Sequence, residues 1–326
     1  MSEFEIINKY IKLAEKDDSV IVGIGDDAAV LQVPEDSQIV QTMDTMVAGV
    51  HFDEHFSAEA LAHKLLHVNV SDIAAMGAKA QWATVALTVP EINETWITEF
   101  SSALQQRCHD LNINLVGGDT TSGPLSVTMN LTGVVKQGEF LTRSGAKSGD
   151  DIYVSGFLGD AALSLTLDEL AIQKHDSDLR QRLEFPQARY ALGHSLVRVA
   201  TACIDVSDGL LADLQHICRA SGLNAQVNVE DLPLSADYKH HFQSEELPIS
   251  SDFALNGGDD YELCFTSSPE NRDKIKLIGE QLQLNIARIG KIVEANMLEN
   301  TTLVNCYLNG EKYQCERHGW EHFSQD

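Results

Sequence analysis

Apolar residues recur along this chain in two rhythms, one near every third or fourth position and one alternating, and the switches between them predict its elements. Glu3 to Lys16 carries Phe4, Ile7, Ile11 and Ala14 at helical spacing, which predicts an opening helix ended by Asp17-Asp18-Ser19. Val20-Ile21-Val22 and Ile39 to Met43 read as strands, with a hairpin-type loop at Pro34 to Ser37 between them. Ser57 to Met76 has the clearest helical pattern, with Leu61, Leu65, Val68 and Ile73 near one face and Gly77 as the stop. A strand (Gln81 to Val89), a helix (Asn93 to Asn112), a buried strand (Ile113 to Val116) and another strand (Ser126 to Val135) follow. The second half alternates again. Strands are expected at Ile152 to Val154, from Cys203, at Tyr261 to Phe265, near Ile286 to Val293 and at Leu303 to Leu308. Helices are expected at Gly159 to Ala171, Gln187 to Ala200, Leu210 to Ala220 and Pro269 to Leu282.

Between these elements the chain repeats one device, glycine beside carboxylate. It occurs at Gly23-Ile24-Gly25-Asp26-Asp27, Gly117-Gly118-Asp119, Asp205-Val206-Ser207-Asp208-Gly209 and Asn256-Gly257-Gly258-Asp259-Asp260. Any one of these fits a solvated turn, since Gly and Asp are ordinary turn residues. Adjacent carboxylates repel unless a cation or strong donors stand between them, and a hard ion such as Mg²⁺ prefers such all-oxygen surroundings. Asp72 falls late in the Ser57 to Met76 helix, where the helix dipole disfavours a carboxylate, so it needs another reason to be there. His63 and His67 are four apart, but the Glu of His-Glu-x-x-His is missing, and they read better as polar-face residues.

Composition narrows the classes. At 326 residues, 43% of them hydrophobic, two domains are expected, with residues 139–148 connecting 1–138 to 149–326. That connection, Leu141-Thr142-Arg143-Ser144-Gly145-Ala146-Lys147, holds two of the few basic residues and reads as a plain linker or a nucleotide-facing loop. No run is long and apolar enough for a bilayer, and the acidic start is not a signal peptide. Six scattered cysteines without Cys-x-x-Cys spacing point to a reducing cytoplasm. The balance of 23 Lys+Arg against 49 Asp+Glu, net −26, disfavours nucleic acid as a partner. A phosphorylated substrate is still compatible if carboxylates hold Mg²⁺ and Mg²⁺ holds the phosphates. No Gly-x-x-x-x-Gly-Lys-[Ser/Thr], protein-kinase set or Gly-x-Ser-x-Gly is present.

The acidic turns, with Met43-Asp44-Thr45 through His51-Phe52, Val68-Asn69-Val70-Ser71-Asp72, Leu141-Thr142-Arg143-Ser144-Gly145-Ala146 and Gly257-Gly258-Asp259-Asp260-Tyr261-Glu262-Leu263, resemble in order and spacing the bacterial thiamine-monophosphate kinases. These belong to the superfamily of aminoimidazole-ribonucleotide synthetase and selenophosphate synthetase. The resemblance implies ATP- and Mg²⁺-dependent phosphorylation of thiamine monophosphate to thiamine diphosphate, the last step of that biosynthesis. It implies an α+β fold of two domains, the N-terminal one a mixed sheet or half-barrel with helices, the C-terminal one α/β-type. In the implied division of labour the N-terminal domain binds metal and ATP and forms a homodimer, and the C-terminal domain completes the nucleotide and thiamine site. It places Asp27, Thr42, Met43, Asp44, Asp72, Asp119, Asp205 and Asp208 on positions that ligate several Mg²⁺ ions. It places Gly118, Asp119, Arg143 and Ser207 on ATP positions, and His51, Asp259 and Trp320 on positions that hold the thiamine substrate. Met43 stands where the family often has Ser or Thr, so only its carbonyl could ligate; Asp259 stands where Glu is common.

The chemistry agrees with the residues. A phosphate acceptor with a second pKa near about 6 is mostly dianionic at neutral pH and needs no general base. The reaction needs suppressed repulsion between two polyanions and in-line positioning, with Arg143 on the developing charge. Direct transfer without a phosphoenzyme is expected. The rivals are another ATP-using member of the superfamily, a two-metal phosphohydrolase, and an acidic metal-binding scaffold.

Overall fold

The computed structural model describes residues 17–53, 55–169, 178–295 and 303–314. The expected opening helix (Glu3 to Lys16) and Trp320 lie outside the described residues. The chain divides into two compact units, Met1–Ile73 with Ala78–Phe140, and Ala74–Gly77 with Leu141–Asp326.

In the first unit, β1 (Val20–Val22) and β2 (Val30–Leu31) form an antiparallel pair. β3 (Ser37–Val47), β4 (Lys79–Val89), β5 (Asn114–Ser122) and β6 (Ser126–Lys136) form a mixed sheet in the order β3-β6-β4-β5. β3 and β6 pair antiparallel over their whole length, β4 joins β6 antiparallel, and β5 runs parallel to β4. Alternation decides the faces: Val127, Met129 and Leu131 of β6 are buried on the side where the Ala58–Ala75 helix packs, its Ile73 reaching Gly133. Trp82, Val116 and Val134 face the other way and are covered by Val20, Ala29 and Leu31, with the Trp82 indole N–H donating to Ser19 Oγ at 2.9 Å. The Glu94–Asp110 helix starts where its sequence predicts, because the Asn93 side chain accepts from the Trp96 amide.

Two expectations change here. Gly117-Gly118-Asp119 is not a turn: β5 continues through it to Ser122, because β4 offers parallel hydrogen bonds as far as Val89. His63 and His67 are not on a solvated face. They are buried, stacked at 4.1 Å, in a helix that also buries Lys64, Asn69 and Ser71.

In the second unit, β7 (Asp151–Ser155), β8 (Ala202–Val206), β9 (Asn224–Asn228), β10 (Glu262–Ser267), β11 (Ile286–Val293), β12 (Val304–Leu308) and β13 (Glu311–Tyr313) form one sheet in the order β13-β12-β9-β11-β7-β10-β8. Every pairing is antiparallel except β9 with β12. One face packs Ile152, Val154, Ile204 and Val206 against the Leu210–Ser221 helix. The other packs Tyr153, Cys203, Leu263 and Phe265 under the Tyr190–Leu196 and Arg272–Leu282 helices. The Tyr190–Leu196 helix is shorter than its apolar pattern, Gln187 to Ala200, because Val197 is extended and Arg198 turns left-handed. Cys108, Cys203, Cys218 and Cys264 are free and buried, and Cys306 is buried. Among the described residues no helix is long and apolar enough to cross a membrane.

Candidate active site

In the first unit, strand alternation puts Thr42 and Asp44 on the same face of β3, opposite Leu131 and Met129 of β6. The Thr42 hydroxyl donates to Asp72 Oδ2 in a short hydrogen bond, so the late-helix carboxylate meets the strand there. Burial, and then the charge of Asp72, push the Asp44 carboxyl up to about 6. Met43 points the other way with 64% of its surface exposed, which leaves its backbone carbonyl as its only ligating group.

This donor set fits Mg²⁺: hard oxygens only, two carboxylates that repel, and a hydroxyl beside them. Among the described residues no three His, Cys, Asp or Glu side chains gather into a metal cage. One or two carboxylates with the rest of the shell supplied by phosphate and water is the ordinary Mg²⁺ arrangement.

Asp27 lies exposed on the loop joining β1 and β2, and its amide donates to Asp26 Oδ1 at 2.9 Å. Asp119 is exposed on the outer strand β5. Its neighbour Gly118 lies against β4, where an added Cβ would sit 2.2 Å from the Val85 carbonyl oxygen. His51 Nδ1 accepts from the Val47 amide at 3.1 Å, which leaves Nε2 to carry the ring proton.

In the second unit, buried Asp205 is the next-to-last residue of β8, which leads through Val206 into Ser207 and Asp208. The amides of Ser207 and Asp208 both donate to Asp213 Oδ2, at 3.0 and 3.1 Å. Burial and the Asp208 charge push Asp213 up to about 7, against those two amides and Arg143. The loop bearing Asp259 is bonded to this turn, the Asp259 amide donating to Ser207 O at 2.9 Å and the Tyr261 amide to Val206 O at 2.8 Å. Gly258 permits the approach, since a Cβ there would lie 2.4 Å from Ser207 O. Asp259 and Tyr261 adopt φ of +67° and +50°, and the Tyr261 hydroxyl donates to Asp259 Oδ1 at 2.8 Å. Non-glycine residues in that region carry backbone strain, which collects at functional sites.

The loop carrying Arg143 is laid along β8 by a hydrogen bond from the Cys203 amide to Thr142 O at 2.9 Å. Burial first, and then the Arg143 charge, lower the His216 pKa. Ser207, Asp208, Arg143 and Asp259 are thus assembled within one unit.

Residues to which sequence reasoning assigned no role of their own support this assembly. Glu262 is fully buried in β10 and accepts both guanidinium branches of Arg189, Arg182 Nη2 at 3.0 Å and the Ser155 hydroxyl at 2.7 Å. Burial opposes its charge, yet the Arg189 hydrogen bonds and charge hold its pKa below the usual carboxylate range. Asp260 takes the Gly159 amide on both carboxylate oxygens, at 2.9 and 3.1 Å, and its burial raises its pKa. Asp213 likewise organises the acidic turn from the first turn of its helix. A signal existed for Glu262: an acid at the head of an apolar strand demands cations.

Comparison with known proteins identifies the family of the chain. Residues 25–135 match the N-terminal domain, and residues 147–300 the C-terminal domain, of the AIR synthase related protein family. The thiamine-monophosphate kinase of Haemophilus influenzae is 43% identical over 298 residues, 90% of each chain. The crystal structure of that kinase from Stenotrophomonas maltophilia superposes with a TM-score of 0.86 at 40% identity, covering 96% of this chain and 98% of that one. AaThiL complexed with AMPPCP and TMP superposes with a TM-score of 0.75 at 30% identity, covering 98% of this chain and 96% of that one. With relatives this similar along nearly its whole length, the chain belongs to the thiamine-monophosphate kinase family.

Proposed function

We propose that this chain transfers the γ-phosphoryl group of ATP directly to thiamine monophosphate, releasing ADP and thiamine diphosphate. An oxygen of the thiamine monophosphate phosphate bonds to the γ-phosphorus as the bond from that phosphorus to the β–γ bridging oxygen breaks. The acceptor is already dianionic near neutrality, so no side chain has to take a proton. The observation that carries the reading is the pair Asp44 and Asp72 with the Thr42 hydroxyl, half-buried acids whose mutual repulsion suits a divalent cation. The likeness to AaThiL, which was solved with AMPPCP and TMP, supports the choice of substrates.

In this reading Asp27, Thr42, Met43 (through its carbonyl), Asp44, Asp72, Asp119, Asp205 and Asp208 hold magnesium. Bound Mg²⁺ screens the charge that two phosphorylated substrates bring together. Gly118, Asp119 and Ser207 hold the nucleotide, and Arg143 faces the charge that develops on the transferred group. His51, Asp259 and Trp320 hold the thiamine moiety, where a carboxylate and an aromatic face suit a cationic ring.

The enzyme acts in the cytoplasm as a homodimer. Supporting the dimer, β3 is an outer strand of 11 residues with Ile39 and Met43 exposed. Sedimentation of Ile39→Lys should show a monomer, whereas an unchanged dimer would remove that interface.

The deciding experiment incubates the protein with ATP, Mg²⁺ and thiamine monophosphate and measures products by chromatography. ADP and thiamine diphosphate should appear one for one, and EDTA should stop both. Phosphate release without acceptor would favour a hydrolase, and a phosphorylated residue trapped with ATP alone would overturn direct transfer.

A further inference from the structure

The second unit holds a cavity of about 510 Å³ between the Arg272–Leu282 helix and strands β7 and β11. Its size lies within the roughly 300–1,000 Å³ typical of small-molecule sites. None of the residues discussed for phosphoryl transfer lines it. Three cations do: Arg272, Lys276 and Arg288. In a chain of net charge −26, three basic side chains around one cavity are a marked local departure.

The charges do not cancel. Arg272 donates to both oxygens of Asp151, Nε to Oδ2 at 2.6 Å and Nη2 to Oδ1 at 2.8 Å, and the Tyr153 hydroxyl donates to Oδ2 at 3.2 Å. That bidentate pair already neutralises Asp151. Arg288 reaches the same carboxylate only through Nη1, at 3.4 Å, the long end of hydrogen-bond geometry. Lys276 and Glu280 stand 3.9 Å apart on the solvent side and offset one another. One guanidinium is therefore left in surplus, half exposed, at the cavity wall. The rest of the wall is apolar: Ile275, Leu284, Ile286, which stands two residues before Arg288 on the same face of β11, and the ring of Tyr153, the register partner of Arg288 on β7.

We propose that this cavity binds a small organic anion, a phosphate or carboxylate head on Arg288 and Arg272 with an apolar or planar body against Ile275, Leu284 and Ile286. The head satisfies the surplus guanidinium, and the body covers the apolar wall. Both heads share this chemistry, and the choice between them is left to measurement.

The test titrates ¹⁵N-labelled full-length protein, free of Mg²⁺, with phenyl phosphate, phenylacetate, inorganic phosphate and benzyl alcohol, following the amides of Gly279, Asn285 and Arg288. Phenyl phosphate or phenylacetate should shift these amides saturably, and the tighter of the two identifies the head. Arg288→Ala should weaken that binding about tenfold, the loss of one charge-assisted contact, with turnover unchanged. Asp151 keeps Arg272 in that variant, and Lys276→Ala, at a 76% exposed side chain, gives a second, smaller loss without touching the fold. Absence of saturable shifts in the unaltered protein, or equal affinity in Arg288→Ala, overturns the proposal. Equal affinity for inorganic phosphate and phenyl phosphate overturns the role of the apolar wall, as benzyl alcohol binding as tightly overturns that of the guanidinium.

Discussion

Asp44 on β3 and Glu262 on β10 are both carboxylic acids set into a sheet, and their surroundings push their protonation in opposite directions. Around Glu262 two arginines and a serine hydroxyl outweigh complete burial, so the carboxylate stays charged. Around Asp44 burial and a second acid act together, and the pKa rises to about 6. The first group has its counter-ions built into the chain. The second suits a cation delivered from outside. An acid's surroundings, more than its presence in a motif, therefore separate a structural role from a functional one.

The comparison breaks first at Arg189. Arg189→Ala leaves Glu262 buried without its bidentate partner, and stability should fall by about 3–5 kcal/mol in urea denaturation. A loss below about 1 kcal/mol would mean that the network adds little. The same group sets a pH dependence. The folded pKa of Glu262 lies below its ordinary value of 4.5, so the unfolded chain takes up that proton first on acidification. Its stabilisation is complete above that ordinary value and disappears as pH falls through the lower, folded one. The denaturation midpoint should drop over that acidic range in the unaltered protein and less steeply in Glu262→Gln.

The opposite behaviour is expected at Asp44. Asp44→Asn should cut turnover at least about a hundredfold, as loss of a principal charge-stabilising group does, while leaving the urea midpoint unchanged or raised. A variant that unfolds like Arg189→Ala would erase the distinction. On the exposed loop, Asp27→Asn should lower turnover far more than Asp26→Asn, because Asp26 already spends an oxygen on the Asp27 amide. Gly118→Ala should cost about 1–3 kcal/mol, the scale of overpacking, since its Cβ collides with strand β4 rather than with a movable side chain. The smallest effect belongs to the exposed pair Arg107 and Glu59, 3.1 Å apart, where Arg107→Ala should change stability by less than about 1 kcal/mol.

What was legible in the sequence follows the range of the interactions. The Ala58–Ala75 helix, the Asn93 cap and the long β3 and β6 strands announce themselves through spacing and local bonds. The glycine–aspartate motifs also stand out, because close backbone approach requires glycine, as Gly258 does beside Ser207. The reading of Gly117 to Asp119 as a turn failed because the strand continues only by grace of a partner some 30 residues earlier. The burial of His63, Lys64 and His67 depends on neighbours on more than one side, which no single helical stripe reveals. Glu262 was quoted within its motif, but its partner Arg189 lies 73 residues away, with no periodicity linking them. β9 has too few alternating residues to stand out, and the Ala236–Ser244 helix has only two buried ones, Tyr238 and Phe242.

The buried thiols have a practical consequence. Burial pushes Cys108 and Cys218 up to about 12, and raises Cys203 and Cys264 as well. Alkylation and oxidation proceed through the thiolate, so these sulfurs are chemically silent while the fold is closed. Because they sit in the cores of both units, a thiol reagent becomes a clock. Its reaction at Cys108 times the opening of the first unit, and at Cys203, Cys218 and Cys264 that of the second, separately and without any engineered cysteine.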